Sequence, residues 1–266
     1  MHLRKPDREN EQPDFTVDAI ARYVETASAR GVDEIGISEH VYYFRDVSAV
    51  WSVPYTLERS NATIEEYVEP VLEAKQAGLP VKLGLEVDWV ADAAVDLDRL
   101  LAPYPWDYLL GSVHWIDGDA IDQLPGMWDH CSVDEVWRRY FAALREAARS
   151  GRFDVLSHPD LVKIFGDRVD DAAPLYEDLA EAAAGSGVAV EVSSAGLHKP
   201  VGELYPHPEL LSAFRRRGVP ITIASDAHYP DQPGRDLDRC VELARSVGYE
   251  TVTVFDGREA RQEPLT

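Results

Sequence analysis

Cysteine, basic side chains and long apolar runs are all scarce in this chain. Its two cysteines, Cys131 and Cys240, cannot build a disulfide framework and are not spaced as a zinc-binding pair, so reduced thiols without a nucleophilic role are expected. Lys and Arg together number 26 against 48 Asp and Glu, for a formal net charge of -22. Affinity for a nucleic-acid backbone rests on Lys and Arg neutralising phosphates, so this balance argues against a general nucleic-acid binder. An anionic substrate would then need a local positive centre, which bound divalent metals can supply. No apolar stretch approaches the roughly 20 residues that cross a bilayer, and the charged N-terminus has no apolar segment behind it. The expectation is a cytoplasmic protein without a membrane partner. No G-x-G-x-x-G or P-loop motif follows any apolar run, which removes the common nucleotide-binding folds.

What is present is one module, repeated. The spacing of apolar residues predicts helices over 16–30, 64–76, 95–101, 133–150, 174–184, 208–217 and 236–247, several closed by a glycine such as Gly31, Gly78, Gly151 or Gly218. Between them stand short, almost wholly apolar runs at 34–38, 81–85, 108–113, 153–157, 188–192 and 221–224, with a weaker one at 251–255. Strands that lack the in-out alternation of a half-exposed sheet are buried on both faces, as in parallel βαβ units. An α/β protein with a single domain over residues 1–266 is expected, a (β/α) barrel of seven or eight units rather than an open sheet. The aromatic-rich segment 41–62 and the segment 116–132 read as long loops over a pocket, and 257–266 as a polar tail needing no structure. Met1 and His2 leave no room for a first strand, which is expected to be mostly cut away.

The apolar runs end in a pattern. Glu39-His40 follows the first, Glu86-Val87-Asp88 the second, His114 the third, His158-Pro159-Asp160 the fourth, and Asp226-Ala227-His228 the run at 221–224. Barrel active sites gather at such C-terminal strand ends. Four of the eight histidines at the same end of successive strands, joined by Glu86 and Asp226, point to a polynuclear metal site. Imidazoles mixed with carboxylates suit Zn, Mn, Fe or Ni rather than Mg or Ca, and the lack of cysteine ligands removes the soft-metal sites.

Taken in order, His2-Leu3, Ser38-Glu39-His40, Gly84-Leu85-Glu86-Val87-Asp88, Gly111-Ser112-Val113-His114-Trp115, His158-Pro159-Asp160, Ser194-Ala195-Gly196-Leu197 and Ser225-Asp226-Ala227-His228 carry a resemblance. Over essentially its whole length the chain resembles the histidinol-phosphatases of the polymerase-and-histidinol-phosphatase (PHP) family. The resemblance implies a distorted TIM-like (β/α)7 barrel and hydrolysis of L-histidinol phosphate to L-histidinol and phosphate, a step of histidine biosynthesis. It also implies a centre of up to three divalent ions (Zn, Mn or Fe). His2, Glu86 and Asp226 would hold one ion, and Glu86, His114 and His158 a second, with Glu86 bridging. His40 and His228 would hold the third. Where relatives place a further histidine at the third ion this chain offers Asp7 or Glu9, of which Asp7 is taken. The family opens on His-x-His, and only the second histidine is here, so a histidine just upstream of Met1 is expected. Glu86, Asp226 and His228 take the catalytic roles around a metal-bound hydroxide that attacks phosphorus in line. The leaving alkoxide would be protonated by Asp226, His228 or a metal-bound water.

For the substrate, Lys199, Lys163, Arg4 and Arg235 follow strand-end motifs and could hold phosphate, with Lys199 preferred. His198 and His130 could meet an imidazole, and Asp88, Asp117 or Asp160 an ammonium. Two other readings stay open: a PHP-type phosphoesterase acting on a different small phosphate or a nucleic-acid end, and a non-catalytic metal-binding barrel.

Overall fold

The computed structural model describes residues 1–4, 13–51, 53–123 and 126–266. Asp7 and Glu9, expected near the third ion, lie outside the described residues. The chain divides into two compact units: Met1–Leu109 with Ser225–Arg235 and Asp256–Glu259, and Leu110–Ala224 with Asp236–Phe255 and Ala260–Thr266. The first division, after Leu109, falls inside a strand.

In the first unit, helix α1 (Val17–Ser28) starts where the Thr16 side chain accepts the Ala19 N–H, and its stripe of Ala19, Ile20, Tyr23, Val24 and Ala27 is buried. Strand β1 (Ile35–His40) follows, then the short helix α2 (Pro54–Arg59) and helix α3 (Ile64–Gln76), which opens on a capping box between Thr63 and Glu66. Strand β2 (Val81–Asp88) pairs in parallel with β1, and its register sets His40 opposite Glu86. Helix α4 (Ala94–Leu101) leads to β3 (Tyr108–Ser112), whose Tyr108 crosses the glycines of both preceding strands. A Cβ at Gly36 would stand 2.0 Å from the Tyr108 hydroxyl oxygen, and one at Gly84 2.2 Å from its Cζ. Two glycines, one on each strand and two residues apart in register, thus make the slot for one ring. Beside β1 the first residues behave as extended chain. The Ser38 N–H donates to the Met1 carbonyl at 2.8 Å, and the His2 N–H to the Ala227 carbonyl at 2.8 Å.

In the second unit, β4 (Trp115–Ile116) and β5 (Asp119–Ala120) form a small antiparallel pair. The turn between them is Asp117-Gly118, both at positive φ, as a two-residue hairpin requires. Helix α5 (Val133–Arg149) is capped by Ser132 and buries Val136, Trp137, Tyr140, Phe141 and Leu144 along one side. Strand β6 (Val155–Leu156) pairs with β3, and β7 (Ala189–Ser193) pairs with β6 after helix α6 (Ala173–Ser186). Helix α7 (Pro208–Arg216) precedes β8 (Ile221–Ala224), which pairs with β7, and helix α8 (Leu237–Ser246) follows. Helix α5 packs on α6, and α6 on α7. All the strand pairs with a recorded register around β6 and β7 are parallel, the hydrogen-bonded order being β1-β2-β3-β6-β7-β8. Every residue of β7 is buried, as expected of a strand covered on both faces. No helix among the described residues is long and apolar enough to cross a membrane.

Three expectations change. The run at 251–255 belongs to β9 (Thr251–Asp256), which pairs with β10 (Glu259–Pro264) and not with the parallel sheet, and the expected tail is therefore a strand. Gly257 and Arg258, at φ 56 and 67, close that hairpin. Segment 41–62 is not an open loop: it forms two 3-10 turns and α2, with Tyr42, Tyr43, Phe44 and Trp51 buried as core. Segment 116–132 likewise carries the small hairpin and a 3-10 turn at Met127–Asp129.

Candidate metal centre

In the first unit the C-terminal ends of β1 and β2, the segment after β8 and the start of the chain bring five of the expected ligands together. His2 stacks on His40 and on His228, each at 4.3 Å between ring centroids. The ligand atoms of these three histidines all lie within 4.8 Å of one another. His2 Nε2 is 3.0 Å from Asp226 Oδ1 and 3.3 Å from Glu86 Oε2, and His40 Nδ1 is 3.3 Å from the same Glu86 oxygen. His228 Nδ1 lies 3.0 Å from the carbonyl of Asp226, to which it donates in one tautomer. Asp226 and His228 are two residues apart, and Asp226 sits at φ 48, in the left-handed region unusual for a residue other than glycine.

Burial disfavours charge on His2, Glu39 and Asp226 alike, and their mutual attraction overrides it. Hydrogen bonds to Asp226, Glu39 and Glu86 lift the His2 pKa well above its ordinary value. Against burial, contact with His2 lowers that of Glu39. His228 and His2 together hold that of Asp226 well below the usual carboxylate range. The donor set, buried imidazoles with carboxylates turned toward them, fits a divalent transition metal.

In the second unit His114 and His158 meet edge to face at 4.9 Å. His158 sits at φ 26 and is held by neighbours: its N–H donates to Glu191 Oε1 at 3.3 Å, and its carbonyl accepts from the Tyr140 hydroxyl at 3.2 Å and the Leu161 N–H at 2.9 Å. A left-handed residue of this kind costs of order 1–3 kcal/mol and persists only where its surroundings hold it.

The expected substrate groups separate. Arg4 is buried, donates to Asn61 Oδ1 at 2.7 Å and lies over the Tyr43 ring at 4.6 Å. Lys199 is exposed, and His198 pairs with Asp236 at 2.7 Å. His130 pairs with Asp119 at 3.0 Å. Lys163 is 0% exposed, 2.9 Å from Asp160 Oδ2 and donating to the Leu204 carbonyl at 2.8 Å, while the same Asp160 oxygen accepts the His207 N–H at 2.7 Å. Its ammonium is paired within the protein, so that Lys163 ties two loops together. Glu39, Glu191 and Tyr140 had no role assigned by motif spacing. For Glu39 the signal was its place beside His40 in an apolar run, whereas nothing in the sequence links Glu191 or Tyr140 to His158.

A family model described as PHP domain matches residues 14–195. A protein of Deinococcus radiodurans named "Probable histidinol-phosphatase" is 34% identical over 234 residues, 87% of this chain and 88% of that one. A histidinol-phosphatase of Lactococcus lactis is 21% identical over 245 residues, 89% of this chain and 88% of that one. The crystal structure of histidinol phosphate phosphatase from Lactococcus lactis, complexed with Zn, L-histidinol and phosphate, superposes with a TM-score of 0.80 at 20% identity, covering 98% of this chain and 97% of that one. At that identity the superposition establishes the shared fold, a distorted TIM-like α/β barrel, as the motifs implied. With the family model spanning more than half the chain and a relative above 30% identity over most of it, the chain belongs to the PHP family.

Proposed function

We propose that the chain is a metal-dependent phosphomonoesterase that hydrolyses L-histidinol phosphate to L-histidinol and phosphate. The observation that carries this is the cluster of His2, His40 and His228 with Glu86 and Asp226 turned onto it, in a chain whose relatives are named histidinol-phosphatases. His2, Glu86 and Asp226 hold one ion in this reading, His40 and His228 contribute to another, and His114 and His158 supply further ligands. Divalent ions so bound would offset the charge of the phosphoryl group and lower the pKa of the attacking water.

The chain's own groups do the rest. Glu86 and Asp226 face His2 Nε2 at 3.3 and 3.0 Å, and in this reading Asp226 or His228 moves a proton toward the leaving oxygen. Lys199 and His198 are the exposed groups assigned to the substrate, and Arg4 adds a buried positive charge two residues from His2. Phosphate release should be measured from L-histidinol phosphate and from a panel of sugar phosphates, nucleotides and 3′- or 5′-phosphorylated oligonucleotides, with Zn, Mn or Fe supplied. A kcat/KM for histidinol phosphate far above the panel is expected. Equal or faster turnover of nucleotides or oligonucleotide ends would replace this substrate with another phosphoester.

A further inference from the structure

Glu39 stands outside the ligand set above, yet it is fully buried beside it. Its oxygens are taken up by the chain around them. Oε2 accepts the N–H groups of Leu3 at 3.1 Å and Arg4 at 2.9 Å, while Oε1 accepts the His40 N–H at 3.2 Å and faces His2 Nδ1 at 3.3 Å. The backbone of His2 is fixed as well. Its N–H donates to the Ala227 carbonyl at 2.8 Å, and its carbonyl accepts from the Tyr23 hydroxyl at 3.0 Å.

With Nδ1 turned to Glu39, the nitrogen facing Asp226 and Glu86 is Nε2, at 3.0 and 3.3 Å. A carboxylate that accepts from Nδ1–H fixes the tautomer, so that the Nε2 lone pair is the one presented outward. His2 also lies on no helix or regular strand that would aim it, so the aim must come from such contacts. Resting on the reading of His2 as a metal ligand, we infer that Glu39 is a positioning residue: it sets the tautomer and direction of His2 without touching the ion.

Glu39→Gln tests this in the full chain. The amide oxygen can keep the bonds to Leu3 and Arg4, but the amide NH2 then faces His2 Nδ1 as a donor and favours the tautomer protonated at Nε2. Zn affinity by competition with a chelator is expected to weaken about 10–100-fold, with the same number of ions bound at saturation. The Co(II)-substituted protein should show a changed absorption spectrum. Glu39→Asp, which keeps a carboxylate, should bind Zn more tightly than Glu39→Gln and serves where the amide variant does not fold. His2→Ala, measured alongside, should lose one ion. If His2→Ala loses the ion while both Glu39 variants bind Zn like the parent, the positioning role is wrong. Loss of that ion at saturation in Glu39→Gln would make Glu39 a ligand and also overturn the inference. If His2→Ala retains every ion, the ligand reading itself fails and takes this inference with it.

Discussion

Lys163 shows how far a single residue's role depends on what surrounds it. Read along the chain it is a lysine after a strand-end His-Pro-Asp, suited to a phosphate. In the fold it is wholly buried against Asp160, with its donors spent on protein oxygens. Breaking a buried ion pair from one side leaves the other charge uncompensated, which costs about 3–5 kcal/mol. Lys163→Met is therefore expected to lower unfolding stability by about that amount in urea titrations. A variant with parent stability and a raised KM would instead return Lys163 to the phosphate. At the same scale His158 is held in its left-handed backbone by Glu191 and Tyr140. Tyr140→Phe removes one of those bonds, and a loss of about 0.5–1.5 kcal/mol is expected in the same titration. An unchanged midpoint would show that the Leu161 N–H alone holds the His158 carbonyl.

At the scale of elements, strands β1 and β2 set the ligands by register, since pairing Ile35 with Val81 places His40 beside Glu86. That register is supported by the slot that Gly36 and Gly84 leave for the Tyr108 ring. Gly84→Ala would place a methyl group 2.2 Å from Cζ and force the ring or the strand aside. Overpacking of this kind costs about 1–3 kcal/mol, and thermal or urea unfolding should show it. A neutral result would mean that Tyr108 turns away at no cost. The helices were legible because their signals are local: Thr63 and Glu66 form the capping box of α3, whose span Ile64–Gln76 matches the apolar periodicity. Strand β10 was not, because Glu259-Ala260-Arg261-Gln262-Glu263 has neither alternation nor β-branched residues, and only its pairing with β9 makes it a strand.

For the whole molecule, a net charge of -22 makes the chain repel itself, and the carboxylates buried at the metal centre add to that. Ions that bind the folded chain stabilise it by mass action, by about 2.7 kcal/mol per site at a concentration 100 times Kd. Chelation with EDTA is expected to lower the melting temperature, and added Zn to restore it in a concentration-dependent way. A melting temperature indifferent to both would remove the metals from the folded state. The sequence by itself determined the α/β alternation, the acidic balance and the histidines and carboxylates at the strand ends, because each is written in local periodicity and in residue types at short spacing. It also carried the family, through motifs kept in order along the chain. Only the tertiary structure decided that Lys163 is buried against Asp160, that Glu39 turns its carboxylate to His2, and that Tyr140 and Glu191 hold His158. Lys163 and Asp160 stand only three residues apart, but their burial, like the contacts of Glu39, Tyr140 and Glu191 with histidines far along the chain, is set by packing, which no local pattern encodes.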